Sequence, residues 1–370
     1  MITCLEFFSG IGGLHHALNV AGVDAVVLKA FDMNEVANKV YNRTFGSAPS
    51  NKAIDRLTVK EIEKYKVDCW LLSPPCQPYT RGGNMKDSED QRAKPLLHLI
   101  SLLAKLSNAP QYLFLENVKN FECSQSREVL VKELDRLNYD ITECLLSPLQ
   151  FGVPNHRLRY YLCAHKRAHD KPSQDYIETA TIHEKWPFNG DSATFAIPPI
   201  SQFLDLDEPA IDQHLVPAKY ITKSHNFRFD ITLPSHSQTS CFTKAYGSHH
   251  VQTSGSMLQT RNLELLLQNN YYDWANPESL LDLGLRFFTP TEVARLHAFP
   301  MAPWANEFSA SETDNDSKLP RQYQPPHCTP HIDFPQEITT IQRHRLLGNS
   351  LNCWVVAELY RCVLFNPAPL

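Results

Sequence analysis

Short apolar runs alternate with amphipathic segments over the first 165 residues, and this alternation limits the possible folds more than any other feature. Ile2 to Phe8, Val23 to Phe31 and Val67 to Leu72 are short and bounded, as buried strands are. Helical signals lie between them, including one from Leu14 that Gly22 ends. Strands that alternate with helices are joined by crossovers, which make neighbouring strands parallel. The sequence therefore predicts an α/β protein with a doubly wound, mainly parallel sheet.

The alternation ends near residue 167. Residues 168–285 are richer in histidine, proline, serine and aromatic residues and contain no repeating strand–helix unit, which predicts a smaller, irregular inserted domain. Residues 301–336 are acidic, polar and rich in proline, so we expect a flexible insertion there. A helical signal returns from Leu351 to Leu364.

Composition excludes some classes of protein. The net charge of −5 and pI near 6.3 disfavour bulk nucleic-acid binding through a basic footprint, but they leave room for a local basic groove. The first eight residues lack the features of a signal peptide, and no apolar run approaches the roughly 18 residues of a membrane span. Ten cysteines without a Cys-x-x-Cys pair favour free thiols. His327, Cys328 and His331 lack a matching second pair, so we expect no metal site.

Two polar motifs follow predicted strands. Cys76 lies in Ser73-Pro74-Pro75-Cys76-Gln77-Pro78, and Glu116 follows the apolar run Tyr112 to Leu115. Ligands of open α/β sheets bind at the carboxyl ends of strands, where a thiol and a carboxylate resemble a nucleophile and its proton-handling partner. The alternative is a buried structural cysteine and a surface glutamate. The prolines favour the functional interpretation, because they stiffen the backbone where the strand ends.

A third motif is the glycine-rich turn from Phe8 to Gly13, which leaves helix N-terminal amides open to a carboxylate or phosphate. A tight structural turn is the alternative. Asp32 ends the next predicted strand, where dinucleotide-binding folds place a ribose-binding carboxylate. Asp55 follows a weak third strand signal and could hold an adenine amino group or be a surface carboxylate. The glycine spacing is not G-x-G-x-x-G, which disfavours a nicotinamide cofactor.

These motifs resemble, in their order, those of the cytosine-5 methyltransferases. The series is Phe-Ser-Gly-Ile-Gly-Gly, Pro-Pro-Cys-Gln-Pro, Glu-Asn-Val, Arg157-Leu158-Arg159 and Gly348-Asn349-Ser350. Within that superfamily, the run from Cys241 to Gly247 is similar to the Cys-Phe-Thr signature of the DNA methyltransferase 2 type, whose members methylate tRNA. The resemblance implies a Rossmann-like fold that binds S-adenosylmethionine.

The resemblance also implies a division of the chain and a substrate. Residues 1–167 and 286–370 would form a discontinuous catalytic domain, and 168–285 the target-recognition domain, with the flexible insertion at 301–336. The expected reaction is methylation of carbon-5 of cytosine 38 in a tRNA anticodon loop, with aspartate tRNA as the expected substrate. We expect a monomer in cytoplasm and nucleus that binds tRNA, with room for weak DNA binding, and neither metal nor membrane.

Residue roles follow from the same resemblance. Cys76 would attack carbon-6, Glu116 would contact ring nitrogen 3, Arg159 would bind the cytosine carbonyl oxygen, and Arg157 would position Cys76 or a loop. The expected cofactor-binding residues are Phe8, Gly10, Ile11, Gly12, Gly13, Asp32, Ile54, Asp55, Ser73, Asn349 and Ser350.

Two other functions stay open at this stage. A DNA cytosine-5 methyltransferase shares all of this chemistry, and a catalytically inactive nucleic-acid-binding protein could retain the fold. Gly82 and Gly83 predict a loop that closes over the base. Nearby cations such as Arg92 and Lys94 could meet phosphates or simply be solvated.

Overall fold

The computed structural model describes residues 1–79, 90–167, 181–186, 195–206, 213–266, 272–307 and 321–365. The predicted loop at 82–83 and residues 308–320 of the predicted insertion lie outside these ranges. The chain divides into two compact units. The first comprises Met1–Ser147, Leu158–Ser192 and Cys353–Leu370, and the second comprises Pro148–Arg157 and Ala193–Asn352. This is a division by packing, and the functional division into catalytic and recognition domains remains a prediction.

The elements are numbered here in chain order. The strands are β1 (Ile2–Phe7), β2 (Ala25–Phe31), β3 (Cys69–Leu72), β4 (Tyr112–Val118), β5 (Tyr139–Leu146), β6 (Arg159–Lys166), β7 (Ile182–His183), β8 (Phe195–Ala196), β9 (Ile231–Thr232), β10 (Met257–Leu258) and β11 (Arg321–Gln322). The α-helices are α1 (Gly13–Ala21), α2 (Glu35–Phe45), α3 (Val59–Glu63), α4 (Lys94–Leu103), α5 (Gln125–Arg136), α6 (Ala218–Thr222), α7 (Pro290–Leu296), α8 (Thr340–Gly348) and α9 (Cys353–Leu359).

The first unit is built on a seven-stranded sheet in the order β2-β1-β3-β4-β6-β5-β7. Strands β2, β1, β3 and β4 pair in parallel, whereas β6 runs antiparallel to both β4 and β5. The prediction of an α/β, mainly parallel sheet is therefore confirmed. The antiparallel strand has a simple cause: residues 147–158, between β5 and β6, contain no α-helix to carry the chain back across the sheet.

Helices and apolar side chains bury this sheet. Trp70, Leu113 and Leu115 of the central strands are at most 1% exposed and belong to the main hydrophobic cluster. Thr58 and Glu61 form the capping box that their spacing predicts at the start of α3. The weak strand expected before Asp55 does not form: one bridge joins Phe31 to Ser50, and a 3-10 turn follows at Ile54–Arg56.

The second unit has little regular structure among its described residues. Its short strands pair as β10 with β9 and β11 with β8. A buried ion pair links Arg286 to Glu292, with 2.7 Å between Arg286 Nη2 and Glu292 Oε1. No helix in the described part of the chain has both the length and the apolar character that a membrane span needs.

Candidate active site

The register of the sheet brings the predicted functional motifs to one edge. Phe7 at the end of β1 pairs with Phe31 of β2 and with Leu72 of β3, and Leu72 pairs in turn with Leu115 of β4. The residues that follow are Phe8, Asp32, Ser73 and Glu116. Four local sequence signals thus meet at the carboxyl ends of four adjacent parallel strands, where open α/β sheets bind ligands.

Cys76 lies in a braced turn directly after β3. The Tyr79 amide donates to the Cys76 carbonyl oxygen at 3.0 Å, and the Asn117 side chain of β4 donates to the Pro74 carbonyl oxygen at 3.4 Å. The Tyr79 ring packs edge-on against Phe121, with 4.9 Å between centroids. Cys76 is partly exposed, in contrast to the buried Cys69 at the start of the same strand. This exposure favours a reactive thiol over a structural one.

Glu116 is held between a hydroxyl and a guanidinium. The Ser73 hydroxyl donates to Glu116 Oε2 at 2.8 Å, and Arg159 Nε lies 3.6 Å from Glu116 Oε1. Glu116 is only 6% exposed, so the alternative of a surface glutamate is wrong. Arg159 reaches Glu116 because β6 is antiparallel: its first residue pairs with Val118 at the end of β4.

Sequence reasoning missed two parts of this arrangement. It assigned Ser73 to the cofactor pocket, whereas the Ser73 side chain bonds Glu116, and it gave Asn117 no role. The strand register accounts for the bond between Ser73 and Glu116, because these two residues directly follow Leu72 and Leu115, which pair between β3 and β4. Whether Ser73 also contacts a cofactor stays a prediction.

Arg92 and Asp90 form a further charged pair just before α4. Arg92 forms two hydrogen bonds to the Asp90 carboxylate, 2.9 Å from Nε and 2.6 Å from Nη2. The hydrogen bonds that Arg92 donates to Asp90 raise the pKa of Arg92.

The glycine-rich turn between β1 and α1 is tied to Asp32. The Gly10 amide donates to Asp32 Oδ2 and the Asn34 amide to Asp32 Oδ1, at 2.8 and 2.7 Å. Burial raises the pKa of Asp32 above its usual value. Phe8 has a φ of 58°, an uncommon conformation for a residue other than glycine, and such strain is frequent at functional turns.

This turn fits an anionic ligand. Gly12 caps α1 at a φ of 85° and has no side chain to bond the first turn. The His15 amide donates to Glu6 Oε1 at 3.3 Å, and other amides of the turn can meet a carboxylate. A Cβ atom on Gly12 would lie 2.4 Å from the ring of Phe45, so only glycine fits there. The predicted contacts Ile11, Gly12 and Gly13 all lie in this turn. Of the predicted adenine contacts, Ile54 is buried and Asp55 is exposed.

The remaining predicted residues lie in the second unit. The Arg157 guanidinium donates to the carbonyl oxygens of Phe242 and Gly348 at 3.0 and 3.2 Å, and also to that of Ser350. Arg157 thereby joins the Cys-Phe-Thr segment to the end of α8, where Asn349 is the helix cap. A Cβ atom on Gly348 would lie 2.3 Å from the Thr243 carbonyl, so these backbones touch.

Among the described residues, no metal site forms at His327, Cys328 and His331. His327 bonds the Met301 carbonyl oxygen through Nδ1 at 2.7 Å and Glu307 through Nε2. Within the described ranges, no three histidine, cysteine or acidic side chains come together as metal ligands would.

The sequence is similar to known proteins over most of its length. The profile of the C-5 cytosine-specific DNA methylase family matches residues 2–321. A human tRNA (cytosine(38)-C(5))-methyltransferase is 33% identical, over 96% of this chain and 97% of its own length. A Dictyostelium discoideum DNA (cytosine-5)-methyltransferase is 34% identical, over 98% and 94%.

Solved structures show the same relationship. The crystal structure of a Spodoptera frugiperda DNMT2 variant superposes with a TM-score of 0.74 at 32% identity, covering 97% of this chain and 98% of that one. The chain therefore belongs to the C-5 cytosine-specific DNA methylase family and, within it, to the DNA methyltransferase 2 type.

Proposed function

We propose that this protein transfers a methyl group from S-adenosylmethionine to carbon-5 of a cytosine in tRNA, at position 38 of the anticodon loop. The observation that carries the proposal is the meeting of the Cys76 turn, Glu116 and Arg159 at one sheet edge, beside the glycine-capped N-terminus of α1. A nucleophile, a carboxylic acid and a fixed cation are the groups that this reaction needs.

Cys76 supplies the covalent step. Carbon-5 of cytosine is a poor nucleophile, so the Cys76 thiolate first adds to carbon-6, and the electron pair of the 5,6 double bond becomes available at carbon-5. Carbon-5 would then take the methyl group as the bond between the methyl carbon and the sulfonium sulfur breaks, leaving S-adenosylhomocysteine. Loss of the carbon-5 proton to a base and elimination of the thiolate restore the ring. The braced turn keeps the thiol in place for both the addition and the elimination.

Glu116 and Arg159 handle the charge that the addition creates. Negative charge develops on the ring as sulfur adds, and Glu116 lowers it by donating a proton or hydrogen bond to nitrogen 3. Arg159 stabilises the charge on the carbonyl oxygen. The bond from Ser73 and the nearby Arg159 orient the Glu116 carboxyl group, which is buried and would otherwise have several rotamers.

S-adenosylmethionine, when bound, supplies an electrophilic methyl group on a sulfonium sulfur. The amides of Ile11, Gly12 and Gly13 would hold its carboxylate, and Asp32 its ribose hydroxyls. Ile54 and Asp55 would flank the adenine.

The choice of tRNA rests on similarity and on the cost of exposing the base. The human relative is named for tRNA, while the Dictyostelium relative and the family profile are named for DNA. A target base must leave its stack, which costs a few kcal/mol in a duplex and less in a loop. The acidic net charge also favours a localised RNA contact over a broad DNA footprint. Aspartate tRNA is the substrate that we propose to test first.

The test measures methyl transfer with both nucleic acids. Purified protein receives labelled S-adenosylmethionine with unmodified aspartate tRNA or with duplex DNA, beside Cys76→Ala and the control Cys123→Ala, which removes an exposed cysteine. We expect label on tRNA for the wild type and Cys123→Ala, and none for Cys76→Ala. Label on DNA alone would establish the rival methyltransferase, and nucleic-acid binding without label would indicate an inactive binding protein.

Glu116→Gln separates the catalytic from the binding role. Glutamine keeps the shape of the side chain but cannot supply an acidic proton. We expect turnover at least a hundredfold lower with unchanged affinity for S-adenosylhomocysteine, measured by calorimetry. Full activity of this variant would remove Glu116 from the mechanism.

A further inference from the structure

A carboxyl group that the proposed reaction does not use is buried under the glycine-rich turn. Glu6 of β1 is 0% exposed, and the strands on either side place Ala30 and Leu71 next to it. Its described hydrogen bonds come from neutral donors: the Tyr41 hydroxyl at 2.9 Å from Oε2 and the His15 amide at 3.3 Å from Oε1. No cation pairs with it among the described residues.

The Glu6 carboxyl group begins a short chain that reaches the first turn of α1. The Tyr41 hydroxyl, which lies beside Glu6, is also 2.8 Å from His15 Nδ1. The His15 ring stacks on Phe45 at 3.9 Å, the ring against which Gly12 packs. Glu6 thus bonds the backbone of α1 directly and reaches the His15 side chain through Tyr41, and the N-terminus of this helix would bind the cofactor carboxylate.

The titratable groups around Glu6 offer it no positive charge. His15 bonds Glu6 through its backbone amide, and burial lowers the pKa of the His15 ring to about 4, so the ring is neutral above that pH. Asp32 is acidic, and Tyr41 and Tyr360 are phenols whose pKa values burial raises. Burial raises the pKa of Glu6 from 4.5 to about 8, and the charge of Asp32 also raises it. The hydrogen bonds from Tyr41 and His15 lower this pKa, but burial is the larger effect.

We propose that Glu6 is a positioning residue that must be protonated for the α1 N-terminus to bind the carboxylate of S-adenosylmethionine. A protonated Glu6 donates to the Tyr41 hydroxyl, which donates to neutral His15, so the chain is satisfied without net charge. An ionised Glu6 places a negative charge at the first turn of α1 and opposes the ligand carboxylate there. This inference rests on the proposed use of S-adenosylmethionine.

The test measures binding of S-adenosylhomocysteine by calorimetry between pH 6.5 and 9 for wild type and Glu6→Gln. The ligand amino group titrates in this range, but equally for both proteins, so the ratio of their Kd values isolates Glu6. If only the protonated form binds, the ratio is near one at pH 7 and rises about tenfold by pH 9, as the competent fraction falls. A ratio that stays constant overturns the inference.

Two further variants separate this role from a purely structural one. Tyr41→Phe removes a hydrogen bond that lowers the pKa of Glu6. The affinity of this variant for S-adenosylhomocysteine should therefore begin to fall at a higher pH than that of the wild type. An onset at the same pH counts against the inference. Glu128→Gln, in an exposed ion pair on α5, should follow the wild type at every pH. Absence of wild-type binding at pH 7 would instead refute the proposed cofactor, and this inference with it.

Discussion

At the scale of single residues, the site depends on which groups hold Glu116. A buried carboxyl group can act on a base only if its orientation is set, and the structure supplies a hydroxyl on one oxygen and a guanidinium near the other. Both come from neighbouring strand ends, Ser73 after β3 and Arg159 at the start of β6. The reactive geometry is therefore a property of the sheet edge, and each partner can be tested alone.

Ser73→Ala tests this orientation directly. A hydrogen bond contributes about 1 kcal/mol, so losing it should lower kcat about fivefold while the affinity for S-adenosylhomocysteine stays the same. The measurements are steady-state kinetics and calorimetry, with the exposed Ser47→Ala as the control. Weaker cofactor binding with unchanged kcat would show that Ser73 serves the cofactor pocket instead.

At the scale of elements, helix α1 has two glycine caps with different duties. Gly22 ends the helix at a φ of 65°, and a Cβ atom added there would have no neighbour within 4 Å, whereas one on Gly12 would lie 2.4 Å from the ring of Phe45. Both need the left-handed conformation, but only Gly12 also needs the space. Replacing Gly22 should therefore reduce stability less than replacing Gly12.

Substituting alanine at the two caps should separate these duties. Gly22→Ala should lower the free energy of unfolding by about 1 kcal/mol, the cost of the left-handed conformation. Gly12→Ala adds a collision in a packed region and should cost about 1 to 3 kcal/mol more, with a clear loss of S-adenosylhomocysteine binding. Urea denaturation and calorimetry give both quantities. Equal effects of the two variants would show that the Phe45 contact is unimportant.

At the scale of the whole molecule, buried groups with shifted pKa values make stability depend on pH. Glu6 holds its proton up to about pH 8 in the folded state and to about 4.5 when unfolded, so its stabilisation is lost as pH rises through that interval. His15 and His344 have pKa values lowered from 6.5 to about 4 by burial, so they stabilise the fold as pH rises from 4 to 6.5. Glu6 and the two histidines therefore change the free energy of unfolding in opposite directions as pH rises, and their effects overlap only below pH 6.5.

The expected profile follows from these signs. The free energy of unfolding of the ligand-free protein should be highest near pH 6.5 and fall by about 1.4 kcal/mol per pH unit between 6.5 and 8, the slope that Glu6 contributes in this range. Urea denaturation across this range measures it. Glu6→Gln should remove the fall above pH 6.5 and keep the rise below it. An unchanged fall in Glu6→Gln would assign the slope to another group.

Much of this architecture was predictable because its signals are local. Strand ends and the turns that follow them depend on a few consecutive residues. The sequence could therefore assign Phe8–Gly13, Asp32, Cys76 and Glu116 to one sheet edge. The direction of β6 was not predictable, because it depends on a connection without a helix.

Partners distant in sequence were also not predictable. The bond between Ser73 and Glu116 depends on strand register, and the contacts of Arg157 with Phe242, Gly348 and Ser350 join segments far apart in the chain. Arg157 was expected to position Cys76 or a loop, and the structure shows the carbonyl groups that it binds. Its role in catalysis stays a prediction.

The most direct test of the central claim is covalent trapping on aspartate tRNA that carries 5-fluorocytosine at position 38. After Cys76 adds to carbon-6 and carbon-5 is methylated, the fluorine cannot leave as a proton does, so elimination stops and the protein stays attached to the RNA. We predict a complex that survives denaturation, with peptide mass spectrometry placing the RNA on Cys76, and no complex for Cys76→Ala. Active enzyme that forms no such complex, or one attached through another cysteine, would contradict the account.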